Sequence, residues 1–205
     1  MNKILSMLRK FALLALAAAS LGGCAALVVG SAVGTAMVVS DRRTSGVQLE
    51  DQAIELKAVT RIREAVGERG HFNITSYNRI VLLTGETASD ADRTAVEQTV
   101  AKIENVRSVV NELATMGSSS LTARSNDTIL TSKVKANHVD AKDLQANAIK
   151  VVTERGTVFL MGRVTEREAT RATELARGVS GVQKVVRVFE ILSEAELADL
   201  SPKKN

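Results

Sequence analysis

The order of apolar and polar positions indicates two helices that each bury one face. In both, a residue suited to the core recurs at every fourth position, which places one such side chain on the same face in each helical turn. Asp51 and Asp127 precede these stripes and are predicted to be helix N-caps, whose carboxylates accept hydrogen bonds from early backbone N–H groups. The stripes consist of Ile54, Ala58 and Ile62 in the first helix and Leu130, Val134 and His138 in the second.

After each helix come a short alternating segment, a turn and a more apolar segment, an order typical of a β-hairpin. A further helix and a last strand complete each unit. The expected fold class is therefore α+β, with two tandem domains of order α-β-β-α-β, each a three-stranded mixed sheet packed on two helices. The predicted strands are 72–75, 81–87 and 106–114 in the first unit and 149–152, 158–164 and 182–192 in the second, with later helices at 89–103 and 166–178.

An internal repeat supports this organisation, because corresponding segments of the two units lie 76 or 77 residues apart. The clearest correspondence joins 81–87 to 158–164, since each segment is an apolar run that contains one glycine. The predicted boundaries are domains at 47–116 and 124–192, a linker at 117–123 and a C-terminal tail at 193–205 that is expected to fray.

Three glycines are interpreted as structural. Gly85 and Gly162 are predicted to end the central strands, where a glycine marks a turn, a bulge or the close approach of another backbone. Gly181 precedes the last strand of the second unit. No phosphate-binding spacing surrounds Gly85 or Gly162, so neither is predicted to bind a nucleotide.

The first forty residues have the pattern of a secretory signal. Residues 1–10 carry three basic side chains, and an apolar run follows at 11–21. Leu21-Gly22-Gly23-Cys24 resembles a bacterial lipobox, which predicts a signal peptide at 1–23, lipidation at Cys24 and a tether at 24–46. Ala25 after the cysteine favours the outer membrane, by resemblance to lipoprotein sorting rules. The alternative is a membrane span, because no charge falls between residues 11 and 40.

Composition excludes several classes of protein. The chain has 205 residues with 2% aromatics and a formal net charge of +4, to which the first ten residues contribute three positive charges. Neither a basic surface nor aromatic stacking platforms are expected, so nucleic acid is not a predicted partner. One cysteine and two histidines argue against a zinc site of the usual kind and against Cys/His catalysis. No metal, cofactor, catalytic residue or small-molecule substrate is predicted.

The titratable residues that could suggest an enzyme have simpler explanations. Glu166 and Glu168 begin one predicted helix, and Asp90 and Asp92 begin another, where acids stabilise the positive end of the helix dipole. No nucleophile lies near a base, so the chain is predicted not to be an enzyme. Of the histidines, His138 is expected to be partly buried or to cap its helix, and His71 is expected to face solvent.

The two units differ in charge. Residues 41–117 hold 10 basic and 12 acidic side chains, whereas residues 124–192 hold 12 basic and 8 acidic ones. On the first helix of the second unit, an apolar side chain beside lysines suits shallow insertion among acidic headgroups. A solvated helix face is the competing interpretation. The predicted lipid-binding residues are Ile129, Ser132, Lys133, Lys135 and Ala136.

The segment VFLMGRVTEREATRATELARGVSGVQKVVRVFEIL resembles the BON domain, through its strand-Gly-x-Val, its alanine-rich helix and its Gly-Val-x-x-Val. The first unit is more divergent, with Thr87 in place of the valine that follows the glycine by two positions. Together with the lipobox, the two units resemble dual-BON outer-membrane lipoproteins of Gram-negative bacteria. Asp41-Arg42-Arg43, Ser125-Asn126-Asp127-Thr128 and the run 158–169 carry that closer match.

This resemblance implies a lipid-anchored protein that faces the periplasm, binds anionic phospholipid such as phosphatidylglycerol through the second unit and supports the envelope at division sites. Ile129 stands where the family has a tryptophan, so lipid affinity could be weaker or depend more on charge. An adaptor that binds other envelope proteins is the alternative. A third possibility, ion sensing, is disfavoured because the sequence shows no acidic cluster.

Overall fold

The computed structural model describes residues 41–200. These residues belong to one compact unit, and within them no helix is long and apolar enough to cross a membrane. The predicted signal peptide, Cys24 and most of the predicted tether lie outside the described residues.

The elements follow the predicted order twice. The first unit consists of α1 (Ser45–Val66), β1 (Gly70–Tyr77), β2 (Ile80–Thr87), α2 (Asp90–Ala101), β3 (Ser108–Asn111) and β4 (Ala114–Thr115). The second unit consists of α3 (Leu121–Asp140), a 3-10 turn (Ala146–Ala148), β5 (Ile149–Glu154), β6 (Thr157–Thr165), α4 (Glu166–Arg177) and β7 (Lys184–Leu192), and α5 (Glu194–Leu200) follows it.

Each sheet is mixed, which confirms the predicted fold class. β1 pairs with β2 and β5 with β6 in antiparallel hairpins, whereas β3 joins β2 and β7 joins β6 in parallel. The last strand of the first unit differs from the prediction because it is interrupted between Asn111 and Ala114. There the Asn111 side chain accepts a hydrogen bond from Leu113 N at 3.2 Å, and Leu113 is buried among the helix-side core residues. β3 and β4 nevertheless pair with the same strand, β2.

The prediction that Asp51 and Asp127 cap helices is wrong. The N-caps lie seven residues earlier, at Thr44 and Ser120, whose side chains accept hydrogen bonds from Val47 N and Ala123 N. These two hydroxyl residues also lie 76 positions apart in the sequence. A serine or threonine supplies the same oxygen acceptor as an aspartate at a helix start, so the aspartates are free for another role.

That role is to hold the hairpin turns. The Asp127 carboxylate accepts hydrogen bonds from the backbone N–H groups of Arg155 and Gly156, at 2.7 and 2.9 Å. Asp51 likewise accepts from Asn78 N and Arg79 N, at 2.9 and 2.8 Å. All four turn residues have positive φ, the conformation of a tight two-residue hairpin turn. Each aspartate therefore joins its first helix to its hairpin.

Three apolar clusters hold the described residues together. One cluster lies between the helices and sheet of each unit and includes the predicted stripes, apart from His138. The central strands alternate between clusters: Val81 and Leu83 face the helices of their unit, while Leu82 faces the other way. The third cluster joins the two units through their sheets and contains Tyr77, Leu82, Phe159, Met161 and Val188.

Two short segments differ from the predicted boundaries. α3 begins at Leu121, so the second half of the predicted linker at 117–123 is helical. The predicted tail contains α5, in which Ser193 and Glu196 form reciprocal hydrogen bonds at the helix start. Both helices begin after a serine, whose side chain satisfies an early N–H group.

The chain enters this fold through two arginines that contact both units. Arg42 forms paired hydrogen bonds with Glu168 at 2.7 and 2.8 Å, and Arg43 donates to Asp51 at 2.8 Å. The Arg43 guanidinium also lies 4.0 Å from the ring centroid of Tyr77. Burial alone would raise the pKa of Glu168, but the hydrogen bonds from Arg42 and Thr165 hold it below its ordinary value. We call residues 41–43 the entry segment.

Candidate functional site

The outer face of α3 presents apolar side chains to solvent. Leu130 and Val134 are buried, as predicted, and the opposite side of the helix carries Leu121, Ile129 and Val139 with 82%, 52% and 69% exposure. The predicted lipid-binding residues are all exposed on this helix. We call the surface formed by Ile129, Ser132, Lys133, Lys135 and Ala136 the α3 face.

The two lysines of the α3 face are free of acidic partners. Within residues 41–200, neither Lys133 nor Lys135 forms an ion pair, whereas Lys57, which occupies the position of Lys133 in the first unit, lies 3.7 Å from Glu104. Neither acidic residue of α3 pairs with these lysines: the Asp127 carboxylate binds the hairpin turn, and Asp140 is the last residue of the helix. The α3 face is therefore available to an external anion.

A cleft of about 680 Å³ adjoins the α3 face. Ile129 and Lys133 lie on one wall, and Gly181 and Gln183 come from the segment that leads into β7. Arg155 contributes a second cation to the lining. The remaining lining residues are Ser119, Ser120, Ala123, Asn126, Asp127, Leu130, Gly156 and Ser180. Arg155 lies 3.6 Å from the buried Glu86 and the Asp127 carboxylate is engaged at the hairpin turn, so Lys133 and the hydroxyl groups are the part of this cleft that suits a small anionic group.

Ser132 and Ala136 contribute little chemistry of their own. The Ser132 hydroxyl donates to the Thr128 carbonyl at 3.0 Å, so its proton is engaged within the helix. Ala136 adds a small exposed apolar surface. The charge of the α3 face thus comes from Lys133 and Lys135, and its main apolar group is Ile129.

The histidines lie in different environments from each other. His138 is 1% exposed, and its Nε2 lies 3.0 Å from the Ala172 carbonyl oxygen. Burial lowers its pKa despite that hydrogen bond. His138 is thus fully buried against α4, rather than partly buried or capping its own helix as expected. The expectation that His71 faces solvent is wrong: it lies in β1 with its side chain 25% exposed, and its Nδ1 is 3.4 Å from the buried Glu86. The cross-strand pairing of His71 with Glu86 brings these side chains together.

The acid pairs lie in the first turns of α2 and α4, as their spacing indicates. Glu168 forms a capping box with Thr165.

Gly85 and Gly162 lie inside β2 and β6 rather than at their ends. Gly85 has φ of 113°, and a Cβ there would collide with the backbone carbonyl of His71. The glycine therefore permits the close approach of β1.

Two segments of the chain, residues 51–117 and 126–193, match the sequence model of the BON domain. The chain belongs to the BON domain family. The first BON domain contains most of α1 and the strands that follow it, and the second contains the α3 face and its cleft.

Two relatives match most of the chain. The outer membrane lipoprotein DolP of Haemophilus influenzae is 35% identical over 190 residues, which cover 92% of this chain and 98% of the relative. The 21 kDa hemolysin of Actinobacillus pleuropneumoniae is 30% identical over 151 residues, which cover 73% of this chain and 78% of the relative. This chain is accordingly a dual-BON lipoprotein of the outer membrane, lipid-anchored and facing the periplasm.

A solved structure of CdsD, a structural protein of the type III secretion system of Chlamydia trachomatis, also resembles the chain. It is 13% identical and covers 72% of this chain and 98% of its own, with a TM-score of 0.29. At that score the similarity carries no argument about function.

Proposed function

We propose that this protein binds anionic phospholipid through the α3 face of its second BON domain and supports outer-membrane integrity without catalysing a reaction. Phosphatidylglycerol, an anionic lipid, suits the positive charge of that domain. Association with division sites, as the family resemblance implies, is part of the same proposal. Cys24 would carry the lipid anchor, and the α3 face would select the lipid headgroup.

The observation that carries this proposal is exposed Ile129 beside Lys133, with Lys135 on the other flank of α3; within residues 41–200 neither lysine forms an ion pair. Each basic side chain near an anionic surface contributes about 1 kcal/mol, so Lys133 and Lys135 provide weak, salt-sensitive attraction. Ile129 can insert among headgroups, and the adjoining cleft offers hydroxyl groups to a phosphate. Weak binding is sufficient when a covalent lipid already holds the protein at the membrane.

Co-sedimentation of residues 41–205 with vesicles tests the proposal. This fragment contains all three apolar clusters and omits the anchor site. We expect binding to phosphatidylglycerol vesicles, no binding to phosphatidylcholine vesicles, and loss of binding in high salt. The double variant Lys133→Glu, Lys135→Glu should abolish binding, because it replaces attraction with repulsion.

Lys57→Glu is the matched control, because Lys57 occupies the corresponding position on α1 and already has an acidic neighbour. It should leave vesicle binding unchanged. Equal binding to both kinds of vesicle, or unchanged binding by the double variant, would exclude the α3 face as the lipid site.

An adaptor function is the second candidate, and α1 provides the observation that favours it. Leu49, Leu56 and Val59 are exposed on this helix, at 66%, 72% and 46%, in a domain whose net charge is negative. Such a surface suits a protein partner better than an anionic lipid. If wild-type residues 41–205 bind neither type of vesicle, the adaptor function becomes the preferred one.

A further inference from the structure

A cluster of buried titratable side chains lies between the two BON domains, apart from the α3 face. His71 and Glu86 are cross-strand neighbours in β1 and β2, and Glu154 ends β5 of the second domain. One imidazole nitrogen of His71 and one carboxylate oxygen from each glutamate all lie within 4.8 Å of one another. The sequence suggested no acidic cluster, because the two glutamates are 68 positions apart. The fold brings them together.

Glu86 is the unusual member of this cluster. Its side chain is fully buried, and within the described part of the chain neither of its carboxylate oxygens forms a hydrogen bond; nor does His71 Nδ1. Two cationic or potentially cationic groups are near but not bonded: His71 Nδ1 is 3.4 Å from one oxygen, and Arg155 is 3.6 Å from the other. A buried carboxylate without hydrogen bonds is costly, so each such group requires an explanation.

Glu154 has an arrangement that complements Glu86. Asn73 donates a hydrogen bond to one Glu154 oxygen at 2.7 Å, which fixes the carboxylate and leaves its other oxygen available. The Glu154 carboxylate also lies within 4.8 Å of the carboxylate of the fully buried Glu86. A bound cation would relieve the repulsion between the two carboxylates.

We propose that His71, Glu86 and Glu154 bind a divalent transition-metal ion, for which Zn²⁺ is the best fit, and that this ion joins the two BON domains. One imidazole nitrogen and two carboxylate oxygens form a three-ligand donor set that Zn²⁺ accepts, with the fourth position open to water. Zinc bonds of about 2.0–2.1 Å place tetrahedral ligands roughly 3.3 Å apart, so the side chains must close around the ion.

The surroundings of the cluster fit this role. A cleft of about 220 Å³, lined by His71, Asn73 and Glu154 among others, provides a path for the ion. Asn73 would orient a ligand from the second coordination shell. With a neutral imidazole, one Zn²⁺ balances the two carboxylates, and Arg155 remains as a neighbouring charge.

Zinc titration of metal-stripped residues 41–205, prepared without a polyhistidine tag, tests this proposal. Calorimetry should show one Zn²⁺ per chain, and Zn²⁺ but not Mg²⁺ or Ca²⁺ should raise the thermal midpoint. Co²⁺ in its place should give the visible absorption of a tetrahedral site. Glu86→Gln and His71→Gln should each weaken binding by more than about 100-fold, beyond the usual cost of losing a second-shell group.

Glu104→Gln is the control, because this acid is exposed and distant in sequence from the cluster; it should bind zinc like the wild type. If Glu86→Gln does not fold, His71→Gln carries the test, since the His71 side chain is partly exposed. No zinc binding by the wild type would overturn the proposal and leave Glu86 as an ion-pair partner of His71 and Arg155. Equal stabilisation by Ca²⁺, or unchanged binding in His71→Gln, would also overturn it.

Discussion

Asp51 and Asp127 each connect the first helix of a BON domain to the hairpin that follows it. Each carboxylate extends from the first helix to two N–H groups of a hairpin turn whose residues have positive φ. Asp51 receives two further hydrogen bonds, from the Ser76 hydroxyl at 2.6 Å and from Arg43 at 2.8 Å. Asp51 therefore has four hydrogen-bond partners where Asp127 has two, and it is the more strongly held of the two carboxylates.

Replacing these aspartates should destabilise the protein to different degrees. We expect Asp127→Ala to lower the free energy of unfolding by about 2 kcal/mol, because two hydrogen bonds to a charged group are lost. Asp51→Ala should cost about 3–5 kcal/mol, because it also removes the hydrogen bonds from the Ser76 hydroxyl and from Arg43, which keeps its ion pair with Asp41. Urea denaturation followed by circular dichroism measures both.

Asp140→Ala supplies the control for these variants. Asp140 is exposed at the carboxyl end of α3, and its removal should change stability by less than about 0.5 kcal/mol. An equal and small effect of Asp51→Ala and Asp127→Ala would show that the turns do not depend on these carboxylates.

At the scale of single residues, the sequence pattern draws attention to both aspartates but does not reveal their function. Aspartate before an apolar stripe fits an N-cap, and a turn that needs a carboxylate from a distant helix leaves no local pattern. The exposure of the proposed lipid-binding residues was predictable, because it follows directly from helical periodicity. His71 was misplaced because its neighbours Glu86 and Glu154 become apparent only in three dimensions.

The first helices of the two BON domains are equivalent in the fold but differ on their outer faces. Both helices expose apolar side chains, but α3 also carries Lys133 and Lys135, which form no ion pair within residues 41–200, whereas Lys57 of α1 lies 3.7 Å from Glu104. The repeat thus preserves the buried stripe and varies the solvent side. Elements that share a core in this way can acquire separate partners.

An aromatic residue on the α3 face should strengthen membrane binding. Tryptophan favours the membrane interface more than isoleucine does, so Ile129→Trp should raise affinity for phosphatidylglycerol vesicles several-fold. The same change on α1, Leu56→Trp, is the control, since Leu56 is also exposed, at 72% against 52% for Ile129, but belongs to the negatively charged domain. Vesicle co-sedimentation compares the two. Equal gains would mean that membrane binding does not distinguish the helices.

The elements themselves were largely predictable. Their order, the mixed sheets and the buried stripes follow from periodicity and turn residues, and element ends differ by a few residues because caps and local turns set them. The interrupted last strand of the first unit depends on the side chain of Asn111, which no periodic pattern reveals.

At the scale of the whole molecule, the two BON domains pack through the free faces of their sheets. Val81-Leu82-Leu83 and Val158-Phe159-Leu160-Met161 are apolar at consecutive positions, a pattern typical of strands buried on both faces. The sequence analysis placed helices on one face only and left the other unassigned. Because apolar and polar residues do not alternate in these strands, the sequence could have predicted that both faces of each sheet are covered and that the domains are in contact.

Tyr77 reports on this contact, because it is the chain's single tyrosine and lies within the interdomain cluster. Burial raises its pKa to about 12. Because the folded protein disfavours the phenolate, stability should begin to fall as the pH rises through about 10, the pKa of an unfolded tyrosine.

Ultraviolet absorbance can follow this ionisation. The native protein should titrate near pH 12, as the raised pKa requires, and the urea-unfolded chain near about 10. Phe159→Ala, which opens the cluster beside Tyr77, should move the native midpoint toward the unfolded value. Native ionisation near pH 10 would show that water reaches the contact between the domains.

The entry segment determines where mechanical load from the membrane enters the molecule. Arg42 binds Glu168 of the second domain and Arg43 binds Asp51 of the first, so tension on the amino-terminal side acts on both domains at once. Sixteen residues lie between Cys24 and Asp41. At 3.3–3.6 Å per residue they span at most about 60 Å. With the lipid anchor that we propose at Cys24, the two domains would stay within that distance of the bilayer, where a weak headgroup contact can form repeatedly.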